Sequence, residues 1–200
     1  MFWIGGGSGA GKSTIARQVA GRFGMRLYST DEVMADHARR SSPDDAPLLT
    51  EFLAMDVDER WLNRSPTDMF ATFHWFHGEG FDLIVEDLLR LPPEPVVVEG
   101  FRLLPSLVEP LLAEPDHAVW LLPSPTFRRA VFDGRGGASW DFLGRTSDPD
   151  RALRNLLERD GMFTERLGEE AARLGLRGIP VDLAMTADEL ARRVTGAFGC

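Results

Sequence analysis

Cysteine is almost missing from this chain: its one thiol, Cys200, is the last residue. That excludes an internal disulfide framework and a cysteine-based metal site, and no role is expected for it. Missing too is any apolar run near the ~20 residues that cross a bilayer. The first residues already read as a core strand, so no secretory leader is expected. The expectation is a soluble cytoplasmic protein with no membrane partner, as a monomer or homodimer. Basic residues are outnumbered, 22 Lys and Arg against 31 Asp and Glu, for a formal net charge of −9. Without a broad cationic footprint, nucleic acid is not expected as a partner. A small anionic ligand needs only a local group of arginines, and such groups are present. No repeat, low-complexity tract or linker divides the 200 residues. One α/β domain over 1–200 is expected, with room for an insertion and a lid.

What is present is led by Gly6-Gly7-Ser8-Gly9-Ala10-Gly11-Lys12-Ser13-Thr14, after a short apolar run, Met1-Phe2-Trp3-Ile4, that reads as a buried strand. The stretch fits the P-loop pattern G-x-x-x-x-G-K-[ST] without a substitution. Its glycines let successive backbone N–H groups turn inward onto phosphate oxygens. Lys12, expected to face solvent until nucleotide arrives, adds a positive charge at the β/γ-phosphates. Ser13 offers a hydroxyl to Mg²⁺, and a helix opening at Lys12 points its positive end at the ligand. Ile15, Val19 and Phe23 recur on one face of that helix, and Gly24 stops it.

Met25 to Tyr28 read as a second strand, followed by Ser29-Thr30-Asp31. Ligands of open parallel sheets meet the carboxyl ends of strands, which places Asp31 to deprotonate and align an attacking hydroxyl. Alternatively, Thr30 or Asp31 caps the helix that follows. Residues 41–90 are expected as a helical acceptor-binding insertion containing Arg64. Within it, Ser65-Pro66-Thr67-Asp68 starts a helix carrying Met69, Phe73 and Phe76 on one stripe and Phe70, His74 and His77 on the next. That helix either recognises substrate or simply packs on the core. Pro95-Val96-Val97-Val98 is a strand buried on both faces. It ends at Glu99, placed to hold Mg²⁺ through water and to face the acceptor. Arg102, in the next loop, is a candidate for an anionic group or a surface ion pair. His117 to Leu122 form a fourth strand. Residues 128–148, glycine-rich and carrying Arg128, Arg135 and Arg145, read as a mobile lid. Asp148-Pro149 opens a helix with Arg151, Arg154 and Arg159, of which Arg154 and Arg159 are candidates for the nucleotide. Leu176 to Val181 form a fifth, edge strand. Thr186-Ala187-Asp188-Glu189 opens the last helix, and the loop 182–186 is placed to receive an adenine ring.

From Phe2 to Phe198 the chain resembles the nucleoside-monophosphate-kinase-like P-loop kinases, the group of shikimate and gluconate kinases, chloramphenicol phosphotransferase and the zeta-toxin sugar-nucleotide kinases. The resemblance rests on Gly6 to Thr14, Ser29-Thr30-Asp31, Glu99-Gly100 and the arginines from Arg128 to Arg145. It implies a three-layer αβα fold with five parallel strands in order 2-3-1-4-5, ATP and Mg²⁺ as cofactors, and γ-phosphoryl transfer to a hydroxyl of a small acceptor. That acceptor would be an antibiotic, sugar, nucleoside or cofactor precursor. By the same resemblance Asp31 binds or deprotonates it, while Lys12 with Arg128 or Arg135 stabilises charge. Two alternatives stand beside this: a zeta-toxin-like kinase using Arg64 and Arg102 on a sugar nucleotide, and a non-catalytic ATP-binding regulatory module.

Overall fold

The computed structural model describes residues 1–199; Cys200 lies outside the described residues. Strand β1 (Phe2–Gly6) leads through the glycine-rich loop into helix α1 (Lys12–Phe23), and β2 (Arg26–Ser29) follows. Four helices come next, α2 (Met34–Arg40), α3 (Pro47–Ala54), α4 (Val57–Trp61) and α5 (Pro66–Thr72), then a 3₁₀ turn at His74–His77 and α6 (Phe81–Leu89). Strand β3 (Val96–Glu99), the short α7 (Pro105–Val108), β4 (Ala118–Pro123), α8 (Pro125–Gly134), the long α9 (Pro149–Arg173), β5 (Arg177–Val181) and α10 (Ala187–Ala197) complete the chain.

The five strands form one parallel sheet in order β2-β3-β1-β4-β5, as the resemblance implies. Alternation along the strands feeds two cores. Ile4, Val97, Val119 and Leu121 pack against Ile15, Val19 and Val194 of α1 and α10. Trp3, Val98 and Trp120 pack on the other face against Ile84 of α6 and Phe163 and Leu167 of α9. Burial on both faces is why these strands read as unbroken apolar runs. The indole N–H of the fully buried Trp120 donates to the Leu103 carbonyl at 2.8 Å, so its one polar atom is satisfied. The exposed Pro180 sits in β5, an edge strand, where a missing donor is tolerable.

Helix boundaries follow local chemistry at several points. Ser65, Asp148 and Thr186 each accept from the backbone N–H three residues on, and Gly24 closes α1 at φ 63°. Two expectations fail. Neither Thr30 nor Asp31 caps α2, which starts at Met34 after Val33 with no side-chain cap. The helix from Ser65 ends at Thr72, because Phe73 leaves the helical region at φ −76°, ψ 107°. His74 and His77 therefore lie on a separate 3₁₀ turn, not on the stripes of one continuous helix.

Candidate active site

The loop between β1 and α1 is shaped by its backbone. Gly7 N–H donates to Leu121 O at 3.0 Å, tying the loop to β4, and a Cβ at Gly7 would sit 2.3 Å from Thr164 Oγ1. Gly9 and Gly11 adopt φ 77° and 81°, so the chain wraps into a cradle that side chains would fill. Gly11 precedes α1 without any side-chain cap, which leaves the first-turn N–H groups free to bind an anion. Lys12 is the chain's sole lysine. It is buried rather than solvent-facing, and its ammonium donates to Gly7 O at 2.9 Å instead of pairing with a carboxylate. Burial pushes its pKa down, while Asp31 and Glu99 pull it back up.

Strand register sets the carboxylates. Ser29 of β2 lies opposite Glu99 of β3, and β3 neighbours β1, so Asp31 and Glu99 come to the same sheet edge as the phosphate loop. Ser29 Oγ donates to Glu99 Oε1 at 2.6 Å, and Glu99 Oε2 is buried with no partner. Burial raises the Glu99 pKa, and the Asp31 charge adds to that, against the Ser29 hydrogen bond. Thr30, fully buried, turns its hydroxyl to Asp31 Oδ1 at 3.3 Å. This packing needs Gly100, at φ 150°, because a Cβ there would stand 1.7 Å from Thr30 Oγ1. Asp31 itself is half-buried.

Phosphate loop, Asp31 and the 41–90 segment line an open cavity of about 530 Å³. Residues Ser8 to Thr14 line it, together with Asp31, Arg135, His74, Arg159 and Asp160 and a set of aromatic rings. Gly6 and Gly7 lie buried at the base of the loop. The orphaned Glu99 carboxylate oxygen, the Ser13 hydroxyl beside it and the glycine cradle fit a nucleotide triphosphate with Mg²⁺. Among the described residues no cluster of three or more His, Asp or Glu side chains forms a metal site on its own.

Several expected site residues lie elsewhere. His77 is exposed and does not line the cavity, because the 3₁₀ turn directs it away from buried His74. Arg64 closes α5, donating to Asp68 O at 3.0 Å and to Thr72 Oγ1. Arg102 neither lines the cavity nor lies on the surface. It is 2% exposed and lies 4.0 Å over the Trp75 ring, donating to His37 Nδ1 at 3.0 Å and Gly80 O at 3.0 Å. Because that guanidinium can only donate, His37 must accept at Nδ1 and carry its proton on Nε2, which donates to Asp87 at 2.8 Å. Arg128 is buried outside the cavity, with its guanidinium on Thr164 Oγ1 at 2.6 Å. Arg145 is exposed and turns to Asp141 at 3.4 Å, while Arg151 and Arg154 are exposed on α9.

Arg159 does enter the cavity. Its guanidinium gives 2.9 and 2.7 Å hydrogen bonds to Asp160 Oδ1 and lies 4.5 Å from the Phe73 centroid and 5.2 Å from those of Trp61 and Phe76. Asp160, fully buried beside it, was not anticipated. The signal available was its place among Leu156, Phe163 and Leu167, a polar residue at helical spacing within an apolar stripe.

Two further kinds of observation bear on the chain as a whole. No protein-family model matches it. A curated 2-phosphoglycerate kinase of Methanococcus maripaludis is 29% identical over 178 residues, covering 82% of this chain and 53% of that protein. The chain thus spans about half the length of the curated relative it matches. Among solved structures, a gluconokinase from Sinorhizobium meliloti superposes with a TM-score of 0.50 at 21% identity, over 98% of this chain and 90% of that one. Deoxyadenosine kinase from M. mycoides with bound dATP gives a TM-score of 0.50 at 11% identity, over 99% and 98%. These likenesses show the fold alone, a P-loop three-layer αβα arrangement. Among the described residues, no helix is long and apolar enough to cross a membrane.

Proposed function

We propose that the chain is an ATP- and Mg²⁺-dependent phosphotransferase whose acceptor is a hydroxyl of a small molecule. The observation that carries this reading is the meeting of a phosphate loop and a carboxylate, Asp31, on one cavity beyond the loop. Asp31, lining the cavity beyond the loop, gives an acceptor hydroxyl a proton acceptor. The kinases it resembles, in sequence or in fold, support the same direction, and the half-length match leaves 2-phosphoglycerate, named for the relative, as one acceptor to be tested.

In this reading Lys12 gives up its contact to Gly7 O for the β/γ-phosphates, and the free N–H groups at the start of α1 hold their oxygens. Ser13 and, through water, Glu99 hold Mg²⁺, which when bound neutralises charge on the phosphates. Asp31 takes the proton of the acceptor hydroxyl as its oxygen bonds to the γ-phosphorus. The bond from that phosphorus to the bridging oxygen breaks, and ADP leaves. Arg135, exposed and 5.4 Å from the Trp140 ring centroid, is the cation of a lid formed by 128–148. A sugar-nucleotide acceptor fits less well, because the cations it would use lie away from the cavity, Arg102 buried against His37 and Gly80 and Arg64 bonded to α5.

The test is ADP release from purified chain with ATP and Mg²⁺ over a panel of alcohols, 2-phosphoglycerate and gluconate included, with Asp31→Asn as control. Acceptor-stimulated release that the control abolishes supports the kinase. Tight ATP binding with no stimulation, unchanged in Asp31→Asn, would turn the assignment to a regulatory module.

A further inference from the structure

We propose that the acceptor is an uncharged alcohol carried on a flat aromatic ring system, not a phosphorylated or carboxylated sugar acid. This rests on the kinase reading and names the substrate of the same site.

The cavity wall facing the phosphate loop is aromatic. Phe52, Trp61, Phe73, Phe76, Phe101 and Phe142 line it, and of these Phe52, Trp61, Phe101 and Phe142 are only half-buried although they border a polar reaction centre. The rings are ordered against one another. Trp61 stacks on Phe142 with centroids 4.3 Å apart, and Phe52 meets Trp61 and Phe73 edge-on at 5.5 Å each. Half-buried rings held at the edge of the cavity offer apolar contact area to a planar guest and little to a hydrated anion.

Charge points the same way. The lining carries three cations, Lys12, Arg135 and Arg159, and three carboxylates, Asp31, Asp141 and Asp160. A bound triphosphate claims Lys12 and Arg135. Arg159 is already held by Asp160 and faced by three rings. Arg64 and Arg102 lie outside the cavity. An anionic acceptor would therefore enter beside Asp31 and Asp160 with no free cation to meet it, at a desolvation cost that an uncharged alcohol avoids. One polar group remains within the aromatic wall, His74, whose Nδ1 is buried without a partner. Burial and the nearby Arg102 hold the ring neutral, with its pKa pushed down to about 3. A neutral imidazole can exchange one hydrogen bond with a ring heteroatom or amide of the guest.

The experiment combines calorimetric binding with turnover, using the full chain. Asp31→Asn with ATP and Mg²⁺ is titrated with nucleosides (adenosine, deoxycytidine), an aryl glucoside (arbutin), glucose, gluconate and 2-phosphoglycerate, and the wild type is assayed for ADP release with each. The proposal expects aromatic alcohols to bind at least tenfold more tightly than glucose or either acid and to drive turnover; the nucleoside and arbutin arms separate a nucleobase from another aryl ring. Phe52→Leu, checked for an unchanged melting curve, is expected to raise the acceptor KM about tenfold at constant ATP KM. The proposal is overturned if an acid or glucose binds best, or if no aromatic compound binds at millimolar concentration. Aromatic binding without ADP release from any compound would instead remove the kinase reading and leave the cavity's preference standing.

Discussion

The two halves of the candidate site are built by different means. The phosphate side is made by backbone: a glycine cradle, a capless helix start and the register of β1, β2 and β3 fix where Lys12, Asp31 and Glu99 stand. The acceptor side is made by side chains, rings packed on rings between α3, α4, the 3₁₀ turn and α9, with the Arg159–Asp160 pair set into them. A backbone-built half tolerates little change and serves one chemistry. A side-chain-built half can be refitted to a new acceptor without disturbing the sheet.

Breaking the phosphate half is expected to give the largest effect. Lys12→Ala removes the one lysine of the cradle and lowers kcat on the order of 10³-fold or more, with little change in melting temperature. Asp31→Asn keeps the cradle and removes the base; kcat falls about 10²- to 10⁴-fold while ATP affinity by calorimetry stays within about threefold. If ATP affinity falls equally, Asp31 belongs to the metal or the fold. On the acceptor side the expected loss is of stability. Arg159→Ala strands the buried Asp160 carboxylate and costs about 3–5 kcal/mol in urea unfolding, and Asp160→Asn added to it restores part of that.

A smaller effect separates the halves by pH. Native His74 has its pKa pushed down to about 3 from 6.5. Below pH 6.5 the unfolded chain takes up a proton that native His74 refuses, so stability falls as pH drops toward about 3. His74→Phe should lose about 2 kcal/mol less than wild type between pH 7 and 5, at about 1.4 kcal/mol per pH unit below 6.5. A parallel pH dependence would show that His74 titrates normally. Smallest of all, Arg64→Ala is expected to cost about 1 kcal/mol and leave the acceptor KM unchanged, since its contacts close α5. A raised KM would return it to the site.

The contrast also explains what could be read from sequence. The phosphate half announces itself through residues whose identity is forced by backbone, such as Gly9 and Gly11, and through strands whose ends are marked by Ser29 and Glu99. The sheet order came from the resemblance those residues carry. The acceptor half follows no local rule. Arg102, Arg128 and Arg159 are equal as letters, yet their partners are His37, Thr164 and Asp160, and two of those partners lie more than thirty residues away. The break after Thr72 depends on where Phe73 finds Phe52, Trp61 and Phe76 to pack on, which no i, i+4 pattern contains.

The stack of Trp61 on Phe142 joins the 41–90 segment to the 128–148 segment, and Ser147 N–H reinforces that junction by donating to Asp58 at 2.8 Å. A guest that firms up this junction would, if 128–148 acts as the proposed lid, favour its closed position over nucleotide. By thermodynamic reciprocity, nucleotide that closes the lid tightens the guest by the same factor. Under the proposed kinase reading this linkage predicts synergy between the two substrates, measured as an acceptor Kd that falls when ATP and Mg²⁺ are present.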